Sequence, residues 1–401
     1  MSRIPRPAAP PSLFLALALA AGCAGSRDLV DRPAIPDSPL TFTPAGAFDF
    51  APLGRFPPGF GLRFGGISGL AALAGGRELL GISDDRDGLR VYRFGLRASG
   101  TDFQVVILGR IALDAPAAPS GLDPEAIAIL PDSNLLIASD GVGNEEPRVP
   151  PAIVEYTRHG SFVRALPVRE RFAPNPAGPL AKGVRANLGF ESLTLAPGGQ
   201  RFYAATESAI VQDGEPSTFE PGAPARILEY VRDGDSFEPR REFAYLLDPL
   251  DRPEFEPGVA VNGLVELLSL GGEELLALER SYIEEAGDAT GRRSLNRIRL
   301  FRVALGRATD VSNIDSLGTM SGIAPADKQL VLDLSDTGGL PPGLTPGLDN
   351  FEGLTFGPRL PDGRATLILV SDDNFNAGQR TWFLRFAVGD EPGRDSTGAI
   401  Q

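Results

Sequence analysis

The sequence is short of the residues on which many catalytic and structural devices depend. It holds one cysteine, Cys23, and one histidine, His159, among 401 residues. A lone cysteine excludes an internal disulfide and a thiolate metal site, so the folded part must be held by its core. A lone histidine leaves one imidazole for any Ser-His-Asp triad, and it falls in RHGSFVR (158–164), which reads as a short turn between strands. No triad can be assembled from a turn residue on the wrong face of the fold. GGISGL (65–70) lacks the G-x-S-x-G spacing of a nucleophile elbow. No amphipathic helical stretch of useful length interrupts the chain, which argues against a parallel α/β sheet. Positive charge is also scarce, with 38 Lys and Arg against 52 Asp and Glu and a net charge of −14. A surface this acidic argues against nucleic acid as a partner and suits a cation-binding protein, or a merely soluble one.

The N-terminus carries the one long apolar run. Arg3 and Arg6 precede Leu13–Ala21, and Gly22-Cys23 follow. The pattern is that of a signal peptide over 1–22, too short to span a bilayer as a finished helix. Leu19-Ala20-Ala21-Gly22-Cys23 resembles a bacterial lipobox, with Cys23 the lipidated residue and 23–40 a Pro-containing tether. Ala20 stands where Leu is more usual, and plain secretion is the alternative. Ala24 rather than Asp after the cysteine points to the outer membrane, facing the periplasm. Loss of Arg3 and Arg6 with the leader takes the charge from −14 to −16.

The remainder repeats. A residue, a small residue and Ile or Leu open a strand at Ser68-Gly69-Leu70, Glu125-Ala126-Ile127, Glu191-Ser192-Leu193, Asn262-Gly263-Leu264 and Glu352-Gly353-Leu354. Tight turns follow (AGGRE, PDSN, PGGQ, GGEE, PDGR), then second strands ending GISDD, LIASD, YAATE, LALER and LVSDD. Third strands align as VYRF, IVEY, ILEY, IRLF and FLRF, and fourth strands follow four of them. The fifth copy lacks its fourth strand, while LTFTPAGAFDF near 40–50 is a strand with no repeat before it. These features predict an all-β propeller of four-stranded antiparallel blades over 41–390, closed by the N-terminal strand, with a tail at 391–401. Five blades are counted directly. Repeats longer than the usual about 40–45 residues leave room for a sixth in 300–350.

Connections from first to second and third to fourth strands are short, whereas the others are long and rich in Gly, Pro and charge. Antiparallel strands put the long ones on one face, where binding is usually built. The acids fall at the same end. Glu125, Glu191, Asn262 and Glu352 should converge on the channel mouth, backed by Asp140, Glu207, Glu279 and Asp372. Crowded carboxylates need raised pKa values or a cation. Oxygen ligands without imidazole fit Ca²⁺, with Mg²⁺ or Mn²⁺ as alternatives. The competing reading is structural, with the acids locking strand ends together by hydrogen bonds. Lys182, Arg185, Arg280 and Arg380 lie on the long loops and could contact phosphate, or merely pair with nearby acids. SDDRDG (83–88) lacks the later Glu of a calcium loop and reads as a turn.

The segments DPEAIAILPDSNLLIASDG, GFESLTLAPGGQRFYAATES and DNFEGLTFGPRLPDGRATLILVSDDNF resemble the phytase-like domain of secreted bacterial proteins, the esterase-like activity of phytase family. The resemblance covers roughly 45–390. It implies an extracytoplasmic propeller acting on phosphate esters, without bringing a settled mechanism. His159 gives no histidine acid phosphatase signature, because Phe162 and Val163 replace the Arg and Pro that follow RHG there. The leading expectation is a Ca²⁺-dependent phosphomonoester hydrolase, monomeric, taking a small phosphorylated substrate and touching membranes only through its lipid. A calcium-dependent lactonase or arylesterase and a non-catalytic envelope binding module stay open beside it.

Overall fold

The computed structural model describes residues 40–50, 64–99, 102–115, 121–287, 293–336, 340, 344, 348–376 and 378–389. The expected signal peptide, Cys23, the tether as far as residue 39 and the tail lie outside the described residues. Strand β1 (Phe42–Phe50) is held for the last sheet. Blade 1 is β2 (Ile67–Ala72), β3 (Glu78–Ser83), β4 (Arg90–Ser99) and β5 (Asp102–Ala112). Blade 2 is β6 (Pro124–Ile129), β7 (Leu135–Ser139), β8 (Ala152–Tyr156) and β9 (Phe162–Ala165). Blade 3 is β10 (Phe190–Leu195), β11 (Arg201–Thr206), β12 (Pro224–Asp233) and β13 (Ser236–Leu246). Blade 4 is β14 (Pro257–Gly271), β15 (Glu274–Glu285), β16 (Ser294–Ala304) and β17 (Asp327–Asp333). Blade 5 is β18 (Asn350–Gly357), β19 (Thr366–Asp372) and β20 (Thr381–Val388), with β1 as its outer strand.

The chain is thus an all-β, five-bladed propeller, with no α-helix among the described residues. β1 pairs antiparallel with β20 from Phe42 opposite Val388 to Phe50 opposite Thr381, so the first strand closes the ring. The stretch 300–350 holds no sixth blade among its described residues; it supplies the end of β16, then β17 and irregular connections. The hairpin turns do what their composition asks of them. In PDSN, Ser133 adopts φ 72° and the Asp132 carboxylate accepts the Asn134 N–H at 3.0 Å.

The apolar core is five layers, one between each pair of neighbouring blades. Leu278 and Leu300 of blade 4 meet Leu369 and Leu384 of blade 5, and Tyr92 and Phe94 of blade 1 meet Val370 and Phe383 of blade 5. Each such side chain contributes about 1.5–3 kcal/mol by leaving water. Along the axis the innermost strands narrow the channel to a pocket of about 40 Å³, lined mainly by Leu, Ile, Ala and Phe. A charged ligand therefore has its access from the long-loop face.

Blade 4 departs from expectation. Residues 280–285 are not loop, because β15 continues to Glu285 and pairs with β14 as far out as Pro257. Asn262 consequently sits inside β14 rather than at its start, opposite Ser281.

Candidate functional site

Each innermost strand shifts register by one residue near the long-loop end, between Ile67 and Gly69, Pro124 and Ala126, Phe190 and Ser192, Leu264 and Glu266, and Phe351 and Gly353. The extra residues are Ser68, Glu125, Glu191, Val265 and Glu352. A bulge re-aims its side chain out of the period-two alternation. Glu125, Glu191 and Glu352 thereby leave the sheet faces and line one cavity on the axis, of about 400 Å³.

The second strands supply the other half of that cavity. From the bulge pairings, the residue two beyond the first regular pair is Asp84, Asp140, Glu207, Arg280 and Asp372 in blades 1 to 5. Three of these positions are pinned by the same backbone bond, Asp84 N–H to Gly66 O, Asp140 to Asp123 and Glu207 to Gly189, at 2.7–3.0 Å. Blade 4 breaks both series, with Val265 at the bulge and a cation, Arg280, where its neighbours carry acids. Arg280 Nη2 donates to Glu352 Oε1 at 2.8 Å and lies 3.6 Å from Glu207 Oε1.

Around this ring nine carboxylates line the cavity: Asp84, Asp85, Asp87, Asp123, Glu125, Glu191, Glu207, Glu352 and Asp372. Arg280 and Arg86, the latter bonded to Asp123, are its two guanidiniums, giving −7 if every group is ionised. The cavity cannot hold that charge unaided. Burial, then mutual repulsion, pushes Glu125, Glu191 and Asp372 well above the usual carboxylate range. Asp84 and Glu207 are each pushed up to about 7, chiefly by burial, with Arg280 restraining Glu207. Asp123 is also raised by burial.

Two features leave these acids available to a ligand. Among the described residues, the carboxylates of Glu125 and Glu191 receive no hydrogen bond and form no ion pair, and Glu207 Oε1 and Asp84 Oδ1 are buried without a hydrogen-bond partner. Two glycines hold space open for them. A methyl group on Gly263 would sit 2.1 Å from Glu207 Oε1, and one on Gly66, at φ +64°, 1.9 Å from Asp84 Oδ1. Among the described residues no three His, Cys, Asp or Glu side chains stand in the arrangement of a metal centre. The donor set itself, hard oxygens with buried orphan atoms and no imidazole or thiolate, fits a hard divalent cation.

The other expected residues lie elsewhere. Asp140 is buried behind the ring, its carboxylate accepting the Gly189 N–H, and burial raises its pKa well above the usual range. Glu279 and Asn262 are apart from the cavity: Glu279 accepts from Tyr245 Oη (2.7 Å), Asn262 Nδ2 (3.0 Å) and Lys328 Nζ (2.6 Å). Lys182 pairs with Glu170, and Arg185 donates to the carbonyls of Ala209 and Gly214. Arg380 pairs with Asp49 and lines a neighbouring cleft with Arg280.

Sequence reasoning missed the place of Arg280, although the signal was present. Counting through LLGISD, LLIASD, FYAATE, LLALER and LILVSD aligns Arg280 with the acids and Glu279 with Ser83, Ser139, Thr206 and Ser371. Those hydroxyls tie strand ends to nearby backbone: Ser83 Oγ donates to Gly65 O, and Thr206 Oγ1 accepts the Arg226 N–H. Glu279 makes the corresponding tie in blade 4. Asp84, Asp85, Asp87 and Asp123, with Arg86 from SDDRDG, were also missed, because only the loop before β4 and the one before β6 bring them to the axis.

No curated protein matches this chain in sequence. Solved structures similar to it include the Dos1 propeller, at 11% identity and TM-score 0.34, covering 80% of this chain and 68% of that one. Another is a protein from Lactobacillus plantarum, at 14% identity and TM-score 0.29, covering 84% and 83%. A third is a mannose phosphorylase from Leishmania mexicana in complex with phosphate ion, at 12% identity and TM-score 0.30, covering 82% and 87%. Residues 62–375, which take in every group that lines the acidic cavity, match the phytase-like family described as esterase-like activity of phytase, and the chain belongs to that family.

Proposed function

We propose that the protein is a divalent-cation-dependent phosphoric-ester hydrolase acting at the axial cavity, with Ca²⁺ as the ion and Mg²⁺ or Mn²⁺ as substitutes. The observation that carries this reading is the bulge ring: it aims Glu125, Glu191 and Glu352 at one cavity in which buried carboxylate oxygens lack partners. Glu125, Glu191, Glu207, Glu352 and Asp372 are the residues that would hold the ion. When bound, the cation offsets part of the −7 charge and draws electron density from a phosphoryl oxygen.

The chain's own groups carry the remaining roles. Arg280, steadied by Glu352, presents guanidinium N–H donors to a phosphoryl oxygen. Asp84 is more open than Glu207, and its pKa of about 7 suits a base at neutral pH. It takes a proton from the water whose oxygen attacks phosphorus. The P–O bond to the alcohol breaks, and the leaving oxygen takes up a proton from solvent. No covalent nucleophile is needed, in keeping with a chain that has no second histidine and no cysteine beyond Cys23. The protein itself is read as a monomer, extracytoplasmic and held at the outer membrane through Cys23.

The test uses the purified mature protein with p-nitrophenyl phosphate, phytate and a simple lactone, in Ca²⁺ and in EDTA. Phosphate release that needs the cation and drops at least tenfold in Asp84→Asn supports the reading. Lactone opening without phosphate release overturns it in favour of a lactonase. Inertness toward every ester with Ca²⁺, Mg²⁺ or Mn²⁺ overturns it in favour of a binding module.

A further inference from the structure

A second cleft, of about 700 Å³, opens between blades 4 and 5 and shares Arg280, Glu352 and Asn374 with the acidic cavity. Its chemistry is different. Two guanidiniums, Arg280 and Arg380, face two carboxylates, Asp349 and Glu352, and both guanidiniums are already engaged, Arg280 with Glu352 and Arg380 with Asp49. The cleft therefore carries no net charge. What it offers instead is neutral polarity beside an aromatic ring: Asn296, Asn350, Asn376 and Gln379 with Trp382.

Three of these groups are short of partners. Asn296 donates through Nδ2 to Leu348 O at 3.0 Å, yet its Oδ1 is buried with no hydrogen-bond donor. The Trp382 ring is largely covered, and among the described residues its indole N–H, which lines the cleft and reaches solvent, has no protein acceptor. The side-chain amide of Gln379 makes no bond to a described residue either. A buried acceptor without a donor costs about 1–3 kcal/mol, which makes Asn296 Oδ1 the group most in need of a partner, while the indole N–H and the Gln379 amide are open to a ligand at the cleft wall. An acceptor, a donor and a bifunctional amide around one cleft match a ligand whose hydroxyls both donate and accept.

We infer that this cleft is the subsite for the part of the substrate that does not react, and that it takes a neutral, polyhydroxylated, sugar-like group carrying a single phosphate. The phosphate would reach Arg280 and the acidic cavity while the hydroxylated body lies against Trp382 and Asn296. A densely phosphorylated polyol does not fit, since no unpaired cation in the cleft is left to meet further phosphates and each would face Asp349 and Glu352. Only the kinetic consequences of this assignment rest on the hydrolase reading; binding to the cleft does not.

Trp382 is the sole tryptophan, so its fluorescence reports on this cleft alone. Two measurements test the inference on the purified mature protein. In the first, Trp382 emission is titrated with glucose and with glucose 1-phosphate in EDTA. Saturable change is expected for both, with affinity at least fivefold weaker in Asn296→Ala and in Gln379→Ala, the latter altering an exposed-side amide that supports no described contact. In the second, kcat/KM with Ca²⁺ is compared for glucose 1-phosphate, methyl phosphate and phytate. Glucose 1-phosphate should lead, and the two variants should lose that lead through KM while methyl phosphate turnover is unchanged. No saturable emission change in the wild type, or affinity unaltered in both variants, overturns the subsite, as does a preference for phytate. Sugar binding without hydrolysis of any ester sinks the hydrolase reading and leaves the subsite standing.

Discussion

Glu207 gives the sharpest test of the acidic cavity, because it is buried, has an oxygen without a hydrogen bond and has one cation, Arg280, at 3.6 Å. Its pKa stands at about 7 against an ordinary 4.5, with Arg280 already included. That displacement corresponds to about 3 kcal/mol, at 1.36 kcal/mol per unit. The folded state holds the proton more tightly than the unfolded one. The associated stability is thus complete below about pH 4.5 and is lost as the pH rises through 7. Between pH 5 and pH 8 in EDTA, Glu207 alone should cost the wild type roughly 2–3 kcal/mol. Glu207→Gln keeps the shape and has no proton to lose. It should therefore show a shallower fall in stability over that range and melt several degrees above the wild type at pH 8. Millimolar Ca²⁺ should reverse the order, since an ion bound to the native state stabilises it in proportion to affinity and the variant has one anionic ligand fewer. Thermal and urea denaturation at both pH values, with EDTA and with Ca²⁺, read all four quantities. A variant with the wild-type pH slope in EDTA refutes the picture of a poorly compensated buried acid, and an undiminished Ca²⁺ response removes Glu207 from the ligand set.

Four further perturbations test the account. Arg280→Met should destabilise the protein by about 3–5 kcal/mol at pH 8, because Glu352 and Glu207 lose their shared cation, and by less at pH 5, where Glu207 is protonated; equal losses at both pH values in denaturation curves would contradict this. Glu191→Gln should leave the EDTA melt unchanged or raised, since no hydrogen bond is lost, and should weaken the Ca²⁺ response; a large loss in EDTA would make Glu191 a structural residue. Deleting residues 41–50 should abolish the cooperative melt, because β20 would be left as an open edge and Trp382 would lose its cover, whereas an unchanged melting temperature would show that β1 does not close the ring. Cys23→Ser should free the protein from membrane fractions of the expressing cell, and continued membrane association would remove the lipid anchor from the account.

How much of this was legible in the chain can be argued residue by residue. Strand, turn and blade were all local: apolar runs of strand length with Gly, Pro and Asp turns gave the five hairpins, and a missing fourth strand at one end with an unclaimed strand at the other gave the closure. Glu125, Glu191 and Glu352 were legible for the same reason, each standing one residue before a small residue at a strand start. The bulges were not. A bulge leaves no mark in composition, and only pairing with the neighbouring strand reveals that the first-strand series runs through Val265 rather than Asn262, whereas the place of Arg280 could be counted from the strand ends. The length of β14 and β15 was hidden likewise, because charged residues such as Glu284 and Glu285 read as loop until cross-strand partners and solvent on one face make them strand. Sequence by itself determined that the unit repeats, with five copies counted directly, and which residue types stand at its ends; the structure removed, among its described residues, the sixth copy that repeat length had left open. Tertiary structure decided which of those ends meet, since convergence on an axis depends on register and loop path, and it alone set a neutral cleft beside the acidic cavity.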